Sequence, residues 1–121
     1  MADYLDAFAR ESEEQITELN NALLAFEDDP TDEEAMSRIF RTAHTLKGNA
    51  GAMGFDPAEE LAHAIEDLLE AIRSNRVAVT PELMDAIFDG VDELDAMIDE
   101  AVEHGEVQRE ATAEIETLRE Y

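Results

Sequence analysis

Apolar residues recur every three or four positions along most of this chain, a period that predicts amphipathic α-helices. The first helix is expected over residues 3–28, where an Asp-Asp-Pro sequence ends the pattern. Thr31 followed by Glu34 has the spacing of a capping box. A second helix is therefore expected to begin at this pair and to reach about Ala52.

Three further helices are predicted after the second one. Asp56 before Pro57 predicts a capping residue and the first turn of a third helix, and Thr80-Pro81 starts a fourth in the same way. His104-Gly105 is expected to end the fourth helix, with the histidine serving only as a residue of its last turn. A shorter fifth helix is expected over about residues 107–120.

The arrangement of these segments predicts an all-α fold. No stretch alternates convincingly between apolar and polar residues, and no β-hairpin signal is present. Helices joined by short loops bury their apolar stripes best in an up-and-down antiparallel four-helix bundle. We expect a single domain over residues 1–121, with a four-helix core at about 3–104 and the fifth helix as an addition.

The chain is strongly acidic. Asp and Glu supply 32 of its 121 residues, Lys and Arg supply 8, and the net charge is −24. Nucleic-acid phosphate and anionic membranes are therefore unfavourable partners, because like charges repel. The acids are spread between apolar positions, which favours a halophilic protein over an acidic tail or mimic. We predict that low salt loosens the fold because it unscreens these charges.

Cysteine and long apolar runs are both missing from the sequence. The lack of cysteine excludes disulfides, thiol nucleophiles and thiolate metal sites. The first residues form neither a basic segment nor an apolar run, and nowhere do eighteen apolar residues follow one another. From the sequence we expect a cytoplasmic protein with no direct membrane contact.

One stretch, residues 35–55, contains no acidic residue. It holds Arg38, Arg41 and Lys47, which is the only lysine of the chain, around a single histidine, His44. Side chains three and four positions apart share one face of a helix, so Arg41, His44 and Lys47 are expected to lie together. This acid-free stretch is the candidate functional site.

The same helix face continues into Gly48 and Gly51. Glycine inside a helix costs up to about 1 kcal/mol relative to alanine, so the pair needs a physical reason. One reason is close packing by a neighbouring helix, and the other is that the missing side chains leave His44 accessible to another protein. The opposite face is the predicted core face, because it repeats the apolar residues Met36, Ile39/Phe40, Ala43, Leu46 and Ala50.

The sequence AHTLKGNAGAMGF around His44 resembles the phosphorylation motif of histidine phosphotransfer (HPt) domains, in particular those at the amino terminus of CheA-type chemotaxis kinases. This combination of His-Thr-Leu-Lys-Gly, small residues and Gly-Phe is far more specific than a lone histidine. The resemblance extends to the helix before the motif and to a later helix that carries His63 and Glu66. One departure is Asn49, where glycine or serine is more usual.

The resemblance implies roles for individual residues. His44 would be the phosphoacceptor, and Glu66 would accept a hydrogen bond from its ring, fix the tautomer and leave the other ring nitrogen open. Lys47 would neutralise charge on the phosphoryl oxygens. His63 is either a further member of this hydrogen-bond network or a half-buried polar residue beside the core stripe. The surface expected to dock partner proteins consists of Arg41, Gly48 and Gly51.

The resemblance also implies partners and a pathway. The phosphoryl group would come from the ATP-binding domain of a CheA-like kinase and pass to an aspartate of a response regulator similar to CheY or CheB. Those domains would supply ATP and magnesium, so no cofactor or metal is expected in this one. We expect the chain to be the amino-terminal segment of a longer kinase, monomeric when isolated and associated with membrane receptor arrays only through other domains.

Two other classes of protein were weighed against this interpretation. Glu60-x-x-His63 is half of a di-iron bundle signature, but no second Glu-x-x-His is present. Three histidines in all also cannot build a hemerythrin-like site. An acidic helical bundle that serves as a protein-interaction scaffold would explain the apolar stripes. It would not explain the acid-free stretch, so it ranks second.

Overall fold

The computed structural model describes residues 2–121, in which five α-helices follow one another without a strand. Their bounds are α1 Ala2–Asp28, α2 Glu33–Ala52, α3 Asp56–Arg73, α4 Pro81–His104 and α5 Thr112–Arg119. The predicted domain starts at Met1, which lies outside the described residues. None of the described helices is both long enough and apolar enough to cross a membrane.

The first four helices form an up-and-down bundle. Their short connections reverse the chain direction at each turn. α1 and α3 each pack against both α2 and α4, which closes a ring around one core, and α5 lies on the outside against α3 and α4. The predicted all-α four-helix bundle with an additional fifth helix is confirmed.

Burial of the apolar stripes accounts for this architecture, because each helix contributes one stripe to a shared core. The rings of Phe8 and Phe55 meet edge to face at a centroid distance of 5.2 Å, which joins the start of α1 to the turn between α2 and α3. The largest fully buried side chains include Leu19, Leu23, Phe26, Ile39, Leu46, Leu61, Ile65, Leu69, Leu83, Ile87 and Leu94. The buried polar side chains are Ser12, Thr42 and Glu66.

Two of the predicted helix starts are wrong in their capping residue. Asp32, not Thr31, caps α2, because its Oδ1 accepts hydrogen bonds from the backbone N–H groups of Glu34 (3.0 Å) and Ala35 (3.1 Å). The Thr31 hydroxyl instead donates to Asp29. Asp56 is already inside α3, and the preceding residue makes no side-chain cap. An acid in the first turn still stabilises a helix through its dipole.

The bounds of the fourth helix agree with the prediction. The Thr80 hydroxyl accepts from the backbone N–H of Leu83 at 3.1 Å, so it caps α4 as expected. Gly105 ends the helix in the left-handed conformation, with φ 74°. Glycine adopts this conformation without the steric cost that other residues incur.

The fifth helix begins at Thr112 rather than near residue 107. Glu100 Oε1 accepts from the backbone N–H groups of Gln108 (3.0 Å) and Arg109 (3.1 Å), which holds this segment in a non-helical course. The Arg109 guanidinium also binds both carboxylate oxygens of Glu93. These contacts come from α4, and the local sequence pattern does not reveal them.

Candidate functional site

The second helix presents His44 to solvent. Its opposite face is anchored in the core by Ile39, Ala43 and Leu46, each of which is at most 2% exposed. A helix that buries one stripe in this way holds its other face at a fixed rotation. The His44 side chain is 66% exposed, so its ring is accessible from outside the bundle.

The third helix places Glu66 beside this ring. His44 Nδ1 lies 2.6 Å from Glu66 Oε2, and Lys47 Nζ lies 2.6 Å from Glu66 Oε1. The Glu66 side chain is only 10% exposed, and the Lys47 side chain is 26% exposed. The two oxygens of one carboxylate therefore hold an imidazole and an ammonium group side by side.

The charge of Glu66 determines which nitrogen of His44 carries the proton. Burial raises the pKa of the Glu66 carboxyl, but the hydrogen bonds and charges of Lys47 and His44 outweigh burial, and the pKa is lowered overall. The carboxylate is therefore ionised at neutral pH and can only accept hydrogen bonds. We assign the proton to Nδ1 from this network, which leaves Nε2 of the neutral ring with a free lone pair.

The other two histidines lie apart from this network. His63 Nε2 is 3.4 Å from Asp67 Oδ1, one turn further along α3. Among the contacts of residues 2–121, no hydrogen bond or ion pair joins His63 to His44 or Glu66. His104 lies at the end of α4 near Glu103. The proposed participation of His63 in the site remains a prediction.

The two glycines of α2 serve different purposes. A Cβ atom added to Gly48 would meet nothing within 4 Å, so this glycine borders open space beside His44. A Cβ added to Gly51 would collide with the Glu59 carboxylate of α3. Gly48 thus fits the accessibility interpretation. Gly51 borders α3, but the group it meets there is the end of the flexible Glu59 side chain, so close packing alone does not require a glycine at this position.

A further ion pair lies on the side of α2 that faces α1. Arg38 Nε donates to Glu18 Oε1 at 2.8 Å. Arg41 is exposed and forms no ion pair with the side chains that the structure describes, residues 4–121. The pKa of Glu18 is lowered chiefly by the hydrogen bond from Arg38, and the charge of Arg41 contributes to the shift. The Glu18–Arg38 pair is not evident from the sequence, because it depends on how α1 and α2 are rotated relative to each other.

Within the described part of the chain, no three His, Cys, Asp or Glu side chains are grouped so that they could hold a metal ion. What the site offers is a neutral imidazole nitrogen that is open to solvent, with a fixed cation one helical turn away. This combination suits attack on an electrophile that carries negative charge.

Comparison with known sequences agrees with this chemistry. The model of the Hpt domain family matches residues 3–104. The chemotaxis protein CheA of the halophile Halobacterium salinarum is 57% identical over 119 residues, and that of Bacillus subtilis is 39% identical over 110 residues. These matches cover 98% and 91% of this chain but only 18% and 16% of the two relatives. The first relative supports the prediction of a halophilic protein.

Solved structures show the same bundle. The phosphorylated P1 domain of CheA3 from R. sphaeroides, solved in complex with CheY6, superposes with a TM-score of 0.90 at 25% identity and covers 99% of this chain and 95% of its own. A solution structure of the histidine phosphotransfer domain of CheA gives a TM-score of 0.88 at 36% identity, with coverage of 98% and 91%. Both matches extend over nearly the whole chain.

Proposed function

Because the chain belongs to the Hpt domain family, we propose that it is a phosphorelay module of chemotactic two-component signalling, with His44 as the phosphoacceptor. The observation that carries this proposal is the contact between His44 Nδ1 and Glu66 Oε2 at 2.6 Å on an otherwise exposed ring. This contact engages Nδ1 in a hydrogen bond within the protein and leaves Nε2 free to react.

The proposed reaction has two steps. In the first, the Nε2 lone pair of His44 attacks the γ-phosphorus of ATP, the bond to the bridging oxygen breaks, and ADP leaves with that electron pair. In the second, an aspartate oxygen attacks the phosphorus, and the electron pair of the N–P bond returns to Nε2. Nδ1 keeps its proton throughout, because the ionised Glu66 accepts it in a hydrogen bond.

Lys47 and Glu66 have separate tasks in this scheme. Phosphorylation gives the ring a positive charge, and the adjacent carboxylate stabilises that charge through Nδ1–H. The ammonium group of Lys47 lies one helical turn from His44 and counters negative charge on the phosphoryl oxygens. Glu66 holds both groups, so it also determines where Lys47 places its charge.

The proposed partners are the ATP-binding domain of a CheA-like kinase and a response regulator that resembles CheY or CheB. The complex between a CheA3 P1 domain and CheY6 supports the second partner. We assign ATP and magnesium to the partner domains. Docking would use the exposed face of α2 around Arg41 and Gly48, with Gly51 at its edge. The pathway implies a cytoplasmic location, with receptor arrays reached through other domains.

The proposal is tested by intact-mass spectrometry after incubation with ATP, magnesium and a CheA-type catalytic core in molar potassium chloride. The wild type should gain one acid-labile phosphoryl group, and His44→Gln should gain none. His104→Gln, which alters an exposed histidine at the far end of α4, is the matched control and should behave as the wild type. Failure of the wild type with its cognate core as well would favour the scaffold interpretation.

A further inference from the structure

The cations around His44 differ in whether an acid of the same chain already pairs with them. Lys47 binds Glu66, and Arg38 binds Glu18. Arg41 has no such partner among the described side chains, those of residues 4–121, although 32 acidic residues are present in the chain. The exposed guanidinium of Arg41, three residues from the reactive histidine, is therefore the one cation of the acid-free stretch that forms no ion pair with the described side chains of residues 4–121.

Arg38 is the reason that Arg41 stays available. Arg41 lies one helical turn after Arg38, whose guanidinium reaches Glu18 of α1, and the charge of Arg41 also lowers the pKa of the Glu18 carboxyl. Glu18 Oε1 is nevertheless taken by Arg38 Nε at 2.8 Å. Without Arg38, the Glu18 carboxylate would lose the partner that holds its Oε1, and it would be free to pair with Arg41, the next arginine along α2.

We propose that Arg41 binds a carboxylate of the response regulator during phosphoryl transfer, and that Arg38 is a positioning residue that keeps Arg41 free by occupying Glu18. This inference rests on the proposed phosphorelay function and specifies its docking chemistry. The partner class follows from charge: a guanidinium recognises a carboxylate through two parallel hydrogen bonds, and the regulator must bring an acceptor aspartate to His44.

High salt makes a contact of this kind effective in so acidic a protein. At 1 M ionic strength the Debye length is about 3 Å, so the repulsion between two acidic proteins is screened beyond direct contact. A paired guanidinium and carboxylate lie within that distance. The choice among response regulators would then depend on ion pairs formed in direct contact, such as the one proposed for Arg41, rather than on long-range electrostatic steering.

The experiment measures the Michaelis constant for transfer from the phosphorylated domain to a CheY-type receiver domain, in molar potassium chloride with magnesium. Arg41→Gln should raise this constant about tenfold, because the charge-assisted hydrogen bonds to the carboxylate are lost. Arg38→Gln should raise it about threefold, because Glu18 then competes for Arg41. The double variant Arg38→Gln/Glu18→Gln should return to within about twofold of the wild type, because the competitor is gone.

Two controls make the outcome decisive. Arg76→Gln removes one exposed positive charge in the turn after α3 and should leave the Michaelis constant unchanged. Far-UV circular dichroism establishes that each variant keeps its helices. An unchanged Michaelis constant for Arg41→Gln, or a double variant with a constant as high as that of Arg38→Gln, overturns the inference. Phosphoryl transfer by the wild type in the same experiment still upholds the proposed function. A wild type that accepts no phosphoryl group overturns both.

Discussion

The pair formed by Lys47 and Glu66 offers the most direct test of how the site is held together. Lys47→Met removes the ammonium group but keeps most of the apolar stem. The Glu66 side chain, which is 10% exposed, then stays shielded from water but loses its contact with the ammonium group at 2.6 Å. We expect the variant to fold and to be less stable than the wild type, because a buried carboxylate has lost a charged partner.

The size of the effect follows from the exposure of the two groups. A hydrogen bond between charged groups contributes about 1.5–3 kcal/mol. Lys47 is 26% exposed, which places this pair in the lower part of that range, at about 1.5–2 kcal/mol. An unfolding entropy of about 2.1 cal/mol/K per residue amounts to roughly 0.25 kcal/mol/K for a chain of this length. The melting temperature should therefore fall by about 6–8 °C.

The difference should also depend on pH. In the wild type the pKa of Glu66 is lowered. The ionised carboxylate therefore stabilises the fold at pH values above 4.5, the ordinary pKa of this group, and this contribution is lost as the pH falls through the lowered pKa. Without Lys47 we expect burial to dominate and to raise the pKa of Glu66. Glu66 then becomes protonated at a higher pH in the variant than in the wild type. The difference in the free energy of unfolding between the two proteins therefore narrows as the pH falls from 8 to 4.

The assay is thermal unfolding in molar potassium chloride across this pH range, followed by circular dichroism. Arg10→Met is the matched control, because it removes one cation from an exposed position of α1 and makes the same change in net charge. Equal melting temperatures for the two variants at pH 7 would refute the reasoning. So would a deficit for Lys47→Met that stays constant down to pH 4.

Three further predictions concern the bundle itself. Ser12 is fully buried, and its hydroxyl has no hydrogen-bond partner among the described side chains and backbone. Ser12→Ala should therefore raise the free energy of unfolding by about 1 kcal/mol in a denaturant titration, and a decrease would contradict this reasoning. Leu118 is the buried residue of α5, so Leu118→Ala should lower the free energy of unfolding by about 2 kcal/mol. Hydrogen exchange should become faster in α5 while α1 to α4 stay protected. Asp95 has a pKa raised by burial and then by Asp99, Asp92 and Glu13, so like charges crowd the α1–α4 side. The melting temperature should consequently rise from low salt to molar potassium chloride, and a flat response would contradict the halophilic interpretation.

The elements of the site differed in how far they could be predicted. His44, Lys47 and Glu66 were named from motif spacing, and the structure brings them together through one carboxylate. The predicted start of α5 was wrong because Glu100 draws the backbone of residues 108 and 109 away from a helical course. Local periodicity contains no information about such a contact between distant segments.

The sequence alone predicted the helical fold class and the bundle topology, and its motif around His44 singled out that residue as the proposed phosphoacceptor. Apolar periodicity, short connections and an acid-free stretch are all local features, and each restricts the structure strongly. Tertiary structure decided which groups meet across the helices. It placed Glu66 between His44 and Lys47, paired Glu18 with Arg38 and brought the Glu59 carboxylate against Gly51. The physical reason is that such contacts depend on the rotation and height of one packed helix relative to another, which the shared core determines.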